Sequence, residues 1–289
     1  MSMQEYREQI ENSINTSIAS FGYKTPLRDA CEYALRNGGK RFRPSIVLMM
    51  SNAIGKGADV VQAALSIEYF HTASLIADDL PCMDNDDFRS DSPSLHKKFN
   101  EAIALLASYA LISEGYGAVA KNARALAKSD LGFASEADHR CVLILENITF
   151  NTGLSGAVGG QFSDLFPSDL SLNTVLEIIQ QKTGSLFEIA FVAGWLFGGG
   201  AVERLPQVKT LAQHFGNAFQ IADDLGDREQ DVKNNRSVNV ANLFGVEKAS
   251  LLVQENVLAY QRLLKELHID TEELLSLVAP LEASTLSTG

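Results

Sequence analysis

Apolar residues recur at helical spacing along most of this chain, whereas alternating patterns bounded by turn residues are scarce. Over residues 5–20, Ile10, Ile14 and Ile18 fall on one stripe and predict an amphipathic helix. Residues 27–36 predict a second helix, closed by Asn37-Gly38-Gly39. Pro44 predicts the start of a third, in the first turn where proline's missing N–H is harmless. Residues 60–79 form a long, mostly apolar segment, and residues 102–128 an Ala/Leu-rich one. Further helices are expected over residues 136–149, 172–196, 208–225 and 247–267. The connections are short except for the polar segment 228–239, and no linker, low-complexity tract or short-period repeat interrupts them. The pattern predicts one all-α domain spanning residues 1–289.

Composition narrows the class of partner. The 289 residues are 46% hydrophobic with only 7 Pro, enough for a sizeable core and few interruptions of helix. A net charge of −12 argues against a nucleic-acid surface, which needs clustered Lys and Arg. It leaves room for a phosphate ligand if metal ions carry the positive charge. Cys31, Cys82 and Cys141 are scattered and odd in number, which gives neither a disulfide framework nor a zinc pattern. They suggest a reducing, cytoplasmic setting. The polar N-terminus shows no signal peptide, and no uncharged apolar stretch is expected to span a membrane; residues 189–200 are too short and glycine-rich.

Two aspartate clusters stand out, each at the end of an apolar run. They are Asp78-Asp79-Leu80-Pro81-Cys82-Met83-Asp84 and Asp223-Asp224-Leu225-Gly226-Asp227. Carboxylates this close repel one another and resist desolvation unless a cation sits among them. Magnesium suits such a set, because it binds through a few carboxylates plus substrate phosphates. Asp223 and Asp227 lie one helical turn apart, with Asp224 beside them. Taken singly, that cluster could also be a solvated acidic helix end. Asp78 and Asp84 would be about 240° apart on a regular helix, but Pro81 breaks the ladder, and a bulge there would return Asp84 to Asp78. Asn85, Asp86 and Asp87 add acidity without the glycine and spacing of a calcium loop.

Cations accompany the clusters. Gly38-Gly39-Lys40-Arg41-Phe42-Arg43-Pro44 sets three in a glycine-opened loop at a helix start, where backbone N–H groups also favour anions. His96, Lys97 and Lys98 follow the first cluster, and Lys182-Thr183-Gly184 interrupts an apolar helix. Each alone would be an ordinary surface charge. Their order, together with Gly160-Gln161 and Phe219-Gln220-Ile221-Ala222-Asp223-Asp224, resembles the trans-isoprenyl diphosphate synthases, in particular their short-chain branch. The resemblance runs from about residue 38 to 248.

The resemblance implies a single-domain orthogonal helical bundle of the isoprenoid synthase type, with a deep central cavity and usually a homodimer. It implies condensation of isopentenyl diphosphate with an allylic diphosphate (dimethylallyl, geranyl or farnesyl). Mg2+ ions, for which Mn2+ could substitute, would be held by Asp78, Asp79 and Asp84 on one wall and Asp223, Asp224 and Asp227 on the other. There they would stabilise charge on the departing diphosphate. By the same resemblance Arg89 and Lys182 assist at the allylic substrate, Lys40, Arg43 and His96 hold isopentenyl diphosphate, and Gln161 is a further substrate-binding residue. Thr183 and Gln220 would line the path of the allylic cation with neutral dipoles, and a proton would leave, to the released diphosphate.

The chain also departs from the family. Ala77 replaces the usual His before the first Asp, and Ser90 replaces the second of two arginines. The segment after Asp227 is shortened, leaving Lys233 or Arg236 as the substitute for a usual lysine. Each charge-assisted contact is worth roughly 1.5–3 kcal/mol, so these losses bear on affinity. The small residues Ala73 and Ser74, with Phe70 nearly a turn deeper as floor, predict a twenty-carbon geranylgeranyl product, with farnesyl as the alternative. A terpene cyclase and a weakly active or regulatory subunit of a heteromeric synthase are the competing expectations.

Overall fold

Side-chain caps mark where several helices begin, and buried stripes show which way they face. The structure is a computed structural model that describes residues 1–37, 39–233 and 237–286, so Gly38 and Arg236 lie outside the described residues. Helix α1 (Met3–Ile18) opens on a reciprocal Ser2–Glu5 capping box and buries Tyr6, Ile10, Ile14 and Ile18. Helix α2 (Pro26–Arg36) is capped by Thr25 with Pro26 in the first turn. Helix α3 (Phe42–Ile54) begins two residues before Pro44, after Arg41 adopts a left-handed backbone with φ 49°. That turn sends the Arg41 guanidinium inward, to Glu11 at 2.7 Å and to the buried Glu68. Arg41 therefore ties α1 to the helix that carries Glu68, and of the three cations in this loop Lys40 and Arg43 remain for a ligand.

Helix α4 (Val61–Asp78) is enclosed on several sides, which explains why it is apolar nearly all round. A two-stranded ribbon follows, β1 (Phe88–Arg89) and β2 (Ser92–Pro93), paired antiparallel with Arg89 opposite Ser92. Its turn residues Ser90 and Asp91 both take positive φ. Helix α5 (Leu95–Lys98) leads into the long α6 (Glu101–Ala127), which lies along α4. Then come α7 (Ala137–Thr152), α8 (Ala157–Leu165) and α9 (Leu172–Ile179). A π-helical turn over Gln180–Gly184 joins α9 to α10 (Ser185–Phe197), so the expected 172–196 helix is continuous but locally widened.

Helix α11 (Leu205–Gly226) packs on α10 and on α14 (Val246–Glu266). The polar segment between them forms α12 (Arg228–Lys233) and α13 (Val240–Phe244), and α15 (Glu272–Ser276) and α16 (Ala279–Leu286) end the described chain. Phe187, Phe191, Phe215 and Tyr260 form an edge-on and tilted aromatic cluster between α10, α11 and α14. One hydrophobic core runs through α1 to α16.

Two stretches, Glu101–Ala127 and Ala134–Leu165, are long and apolar enough to cross a bilayer by length and composition. Neither is uncharged: Glu114 and Lys121 interrupt the first, and Glu146 and Asp164 the second. In the structure α6 buries Ala104, Ala107, Leu111 and Ala118 within the protein core.

Candidate active site

The first acidic wall is built by the end of α4. Backbone bonds from Asp79 to Leu75 (3.0 Å) and from Leu80 to Ala77 (3.2 Å) close the helix. Pro81 cannot extend it, and the chain turns until the Asp84 N–H donates to the Asp78 carbonyl at 2.9 Å. Asp84 is thus returned to Asp78 by a helix-terminating turn, not by a bulge within the helix. Both line a cavity of about 670 Å3. Burial lifts the Asp78 carboxyl to about 6, with Asp84 and Asp79 adding to the shift and Lys182 and Arg89 opposing it.

Asp79 faces elsewhere. Consecutive helical residues point about 100° apart, so Asp78 and Asp79 do not share a cavity. Arg89 Nε donates to the two Asp79 oxygens at 3.0 and 3.3 Å, and its Nη2 also reaches Asp86 at 3.4 Å. The expectation of Asp79 as a metal ligand is corrected: it anchors Arg89 and lines a second cavity.

On the opposite wall, α11 supplies Gln220, Asp223 and Asp224 to the acidic cavity. Asp227 does not follow them. Its N–H caps the Asp223 carbonyl at 2.9 Å, and its side chain is exposed outside the cavity lining, because the helix ends at Gly226. Asp231 of α12, not expected from the sequence, lines the cavity instead. Asp224 is buried and both its oxygens are engaged, Oδ1 by Gln220 Nε2 at 2.9 Å and Oδ2 by the Val240 N–H at 2.8 Å. Burial lifts its carboxyl to about 6 although those two donors pull the other way. Asp224 thus lines the cavity as expected, with both of its oxygens already accepting protein hydrogen bonds.

The third side is the π turn. It aims Lys182 and Thr183 into the cavity, where Lys182 pairs with Asp164 and Thr183 Oγ1 donates to Gln220 Oε1 at 2.8 Å. Asp164, on α8, was missed because no helix was expected there. The approach of α8 depends on Gly160: a Cβ there would stand 2.3 Å from the Lys182 amide nitrogen. The neighbouring Gln161 is not among the lining residues, and both its side-chain polar atoms are buried without a protein partner.

The second cavity, about 400 Å3, adjoins the first through Leu75, Arg89 and Asp223. Lys40 stands exposed at its edge, while Arg43, His71 and Ser90 line it. Arg43 lies 4.2 Å over the Phe187 ring, and its Nη1 is 3.3 Å from His71 Nε2. Burial pushes the Arg43 guanidinium down to about 10 despite the attraction of Glu68 and Asp223. Burial, then the nearby arginine charges, hold His71 well below its usual value. Arg43 Nε and His71 Nδ1 are buried without partners, an arrangement suited to an incoming anion. His71 was overlooked, although it lies about two helical turns before Asp78 on the same face. His96 is buried and is not among the lining residues of either cavity; its Nδ1 is 3.1 Å from Ser94 Oγ and its Nε2 is buried without a protein partner. Lys233 is likewise exposed at the end of α12 and off the cavity lining.

The donor set fits magnesium in one specific way. Among the described residues no three His, Cys, Asp or Glu side chains converge to hold an ion by themselves. Asp78 and Asp84 face Asp223 across the cavity, which matches an ion completed by substrate phosphates. Below, Ala73 and Phe70 are buried on α4 and Ser74 is partly buried. The Phe70 ring packs edge-on against Tyr116 at 5.2 Å and over Gly115, whose Cβ would come within 2.7 Å of it. The lining of the acidic cavity stops at Leu75, Leu165, Ile178 and Ile179 and does not reach Phe70.

An acidic two-walled cavity beside one lined by Lys40, Arg43 and Arg89, in an all-helical bundle, offers room and charge for two anionic groups. The polyprenyl synthetase family model matches residues 24–262. Farnesyl diphosphate synthase of Bacillus subtilis is 35% identical over 226 residues, covering 77% of this chain and 73% of that protein. Geranylgeranyl pyrophosphate synthase 4 of Arabidopsis thaliana is 38% identical over 207 residues, covering 70% of this chain and 52% of that protein. The crystal structure of geranyltransferase from Legionella pneumophila superposes with a TM-score of 0.81 at 26% identity, covering 99% of this chain and 96% of that one. The chain belongs to the polyprenyl synthetase family. Its fold is that of the isoprenoid synthases, and it is a prenyltransferase.

Proposed function

We propose that this chain condenses isopentenyl diphosphate with an allylic diphosphate, dependent on Mg2+, to give geranylgeranyl diphosphate. The observation that carries this reading is the pair of adjoining cavities, one acidic and one basic, that share Leu75, Arg89 and Asp223. Each would take one diphosphate, and a shared border supports the reading because it would bring the reacting ends together.

Asp78, Asp84 and Asp223 would hold the magnesium ions, which neutralise the allylic diphosphate and help the C–O bond break. Lys182 and Arg89 add fixed positive charge at that diphosphate, so little reorganisation accompanies ionisation. Oxygen atoms of Thr183 and Gln220 face the developing cation. Arg43, Lys40 and His71 hold the second diphosphate, orienting its alkene towards the cation. Asp79 keeps Arg89 at the border between the two.

A homodimer belongs to the same reading. Leu105, Leu106, Tyr109 and Ile112 form an exposed apolar stripe on α6, and Phe150 on α7 and Phe162 on α8 are exposed as well. Such a surface suits a second copy of the chain. Cytoplasmic placement is proposed from Cys31, Cys82 and Cys141, all unpaired.

The deciding experiment incubates pure protein with Mg2+, isopentenyl diphosphate and dimethylallyl, geranyl or farnesyl diphosphate in turn. Elongation ending at twenty carbons is expected. Cyclic hydrocarbon, or no turnover by the protein alone, would overturn the reading.

A further inference from the structure

We propose that Asp224 is a positioning residue that sets the direction of the Thr183 and Gln220 dipoles in the acidic cavity and anchors the residues next to Ser237 and Val238, which line it. A carboxylate only accepts hydrogen bonds, so the Gln220 atom 2.9 Å from Asp224 Oδ1 is the amide nitrogen. Gln220 Oε1 is therefore the atom facing Thr183, and the Thr183 hydroxyl donates to it at 2.8 Å. With its proton committed, Thr183 has only lone pairs left for the cavity that both residues line. The reverse amide orientation would turn the Thr183 proton and the Gln220 N–H groups outward. That would present positive ends to a cation.

The same carboxylate reaches the other way. Asp224 Oδ2 accepts from the Val240 N–H at 2.8 Å, and its main-chain carbonyl accepts from Asn239 Nδ2 at 3.0 Å. Asn239 Nδ2 also donates to Asp231 at 2.8 Å. Ser237 and Val238, just before this anchor, line the cavity. One residue on α11 thus fixes the polarity of the cavity wall and the position of the segment that borders it. With both oxygens held by protein donors, Asp224 orients rather than ligates. The benefit to catalysis rests on the reaction proposed above, since it presumes a cation in this cavity.

The test compares Asp224→Asn, Gln220→Glu/Asp224→Asn and Asp223→Asn in the full chain. In Asp224→Asn two amide nitrogens would meet, so Gln220 must flip and Thr183 becomes the acceptor. The expected result is a fall in kcat of about 10- to 100-fold with KM for the allylic diphosphate changed less than about threefold. In the double variant the new asparagine donates to the new glutamate and still accepts from Val240, so Thr183 remains a donor. That variant should recover most of the lost kcat. An increase in the Mg2+ requirement matching that of Asp223→Asn, or no recovery in the double variant, would overturn the proposal.

A readout independent of turnover judges the network if the proposed reaction itself fails. Unfolding midpoints of metal-free Asp224→Asn, Thr183→Val and their combination should be non-additive, because both changes break one connected chain of bonds. Additive losses would overturn the proposal, whatever the activity.

Discussion

Arg89, on the β1–β2 ribbon, donates from Nε to Asp79 at 3.0 Å, while Asp78, its immediate neighbour, lines the other cavity. Two adjacent carboxylates thereby receive different tasks, because consecutive residues at the end of α4 point about 100° apart and Arg89 meets only the second. One is left to face a cation, and the other is already neutralised by a guanidinium.

Asp78→Asn and Asp79→Asn are therefore expected to fail differently. Asp78→Asn should weaken Mg2+-dependent binding of inorganic pyrophosphate at least about tenfold, the loss of one charge-assisted contact. Asp79→Asn should leave the Mg2+ requirement nearly unchanged, while releasing Arg89 and lowering stability by about 1–3 kcal/mol. Calorimetric titration and denaturant unfolding separate the two. Equal losses of metal-dependent binding would contradict the division of roles.

Asp164 competes with any diphosphate for the Lys182 ammonium. Both side chains are partly exposed, so the pair is worth at most about 1 kcal/mol. Asp164→Asn is expected to tighten metal-free pyrophosphate binding by about two- to fivefold, the equivalent of that energy. Weaker binding would instead make Asp164 a helper of the anion site.

Burial lifts Asp78 to about 6 from the ordinary 3.8. A carboxyl whose folded value is raised contributes stability that is complete below the unfolded value and is lost as pH rises through the folded one. In metal-free protein Asp78 should therefore destabilise progressively between about pH 4 and 6. Asp78→Asn should unfold at a higher temperature than the unaltered protein at pH 7, with the advantage shrinking at pH 4.5. Thermal unfolding across that range, with chelator present, checks the sign; a pH-independent difference would refute it.

The parts of this site encoded by local patterns are legible in the chain alone. Helical periodicity places α4, α6 and α11 to within a few residues, and the basic loop and paired aspartates mark both ends of the site. What escapes is whatever depends on how a chain end turns. No spacing rule distinguishes Asp79 from Asp78, because the difference arises from a helix terminus and from an arginine on a two-residue strand. Asp227 looks equivalent to Asp223 on a continued helix, but α11 stops between them. Helix α8 carries so many glycines and polar residues that its periodicity is weak, and Asp164 is lost with it. His71 hides in plain view, as a single imidazole in an apolar run.

Phe70 wedges between α4 and α6, with Gly115 providing the room for its ring. If it forms the floor beneath the growing chain, Phe70→Ala should yield products longer than twenty carbons. Ala73→Tyr, one turn nearer the aspartates, should stop at fifteen. Burial of the ring means that Phe70→Ala also costs about 3–5 kcal/mol, so folding is checked first by circular dichroism. Chromatography of dephosphorylated products gives the lengths, and unchanged lengths in both folded variants would remove Phe70 and Ala73 from chain-length control.

The apolar stripe on α6 makes a prediction about assembly. Leu106 is 51% and Tyr109 57% exposed, and the two are three residues apart on one helical face. A monomer would leave this stripe in water together with the exposed Phe150 and Phe162, apolar surface of the kind that an interface covers. A stable dimer buries about 800 Å2 per partner, which needs contributions from α7 and α8 as well as α6. Leu106→Glu with Tyr109→Asp places two like charges on each copy at the centre of that surface, and their desolvation opposes association. Neither side chain lies in the core, so each chain should keep its helical content. Sedimentation velocity at micromolar concentration is expected to give a two-chain mass for the unaltered protein and a one-chain mass for the variant. A monomeric parent protein, or a variant that still sediments as two chains, would show that this face does not join two copies.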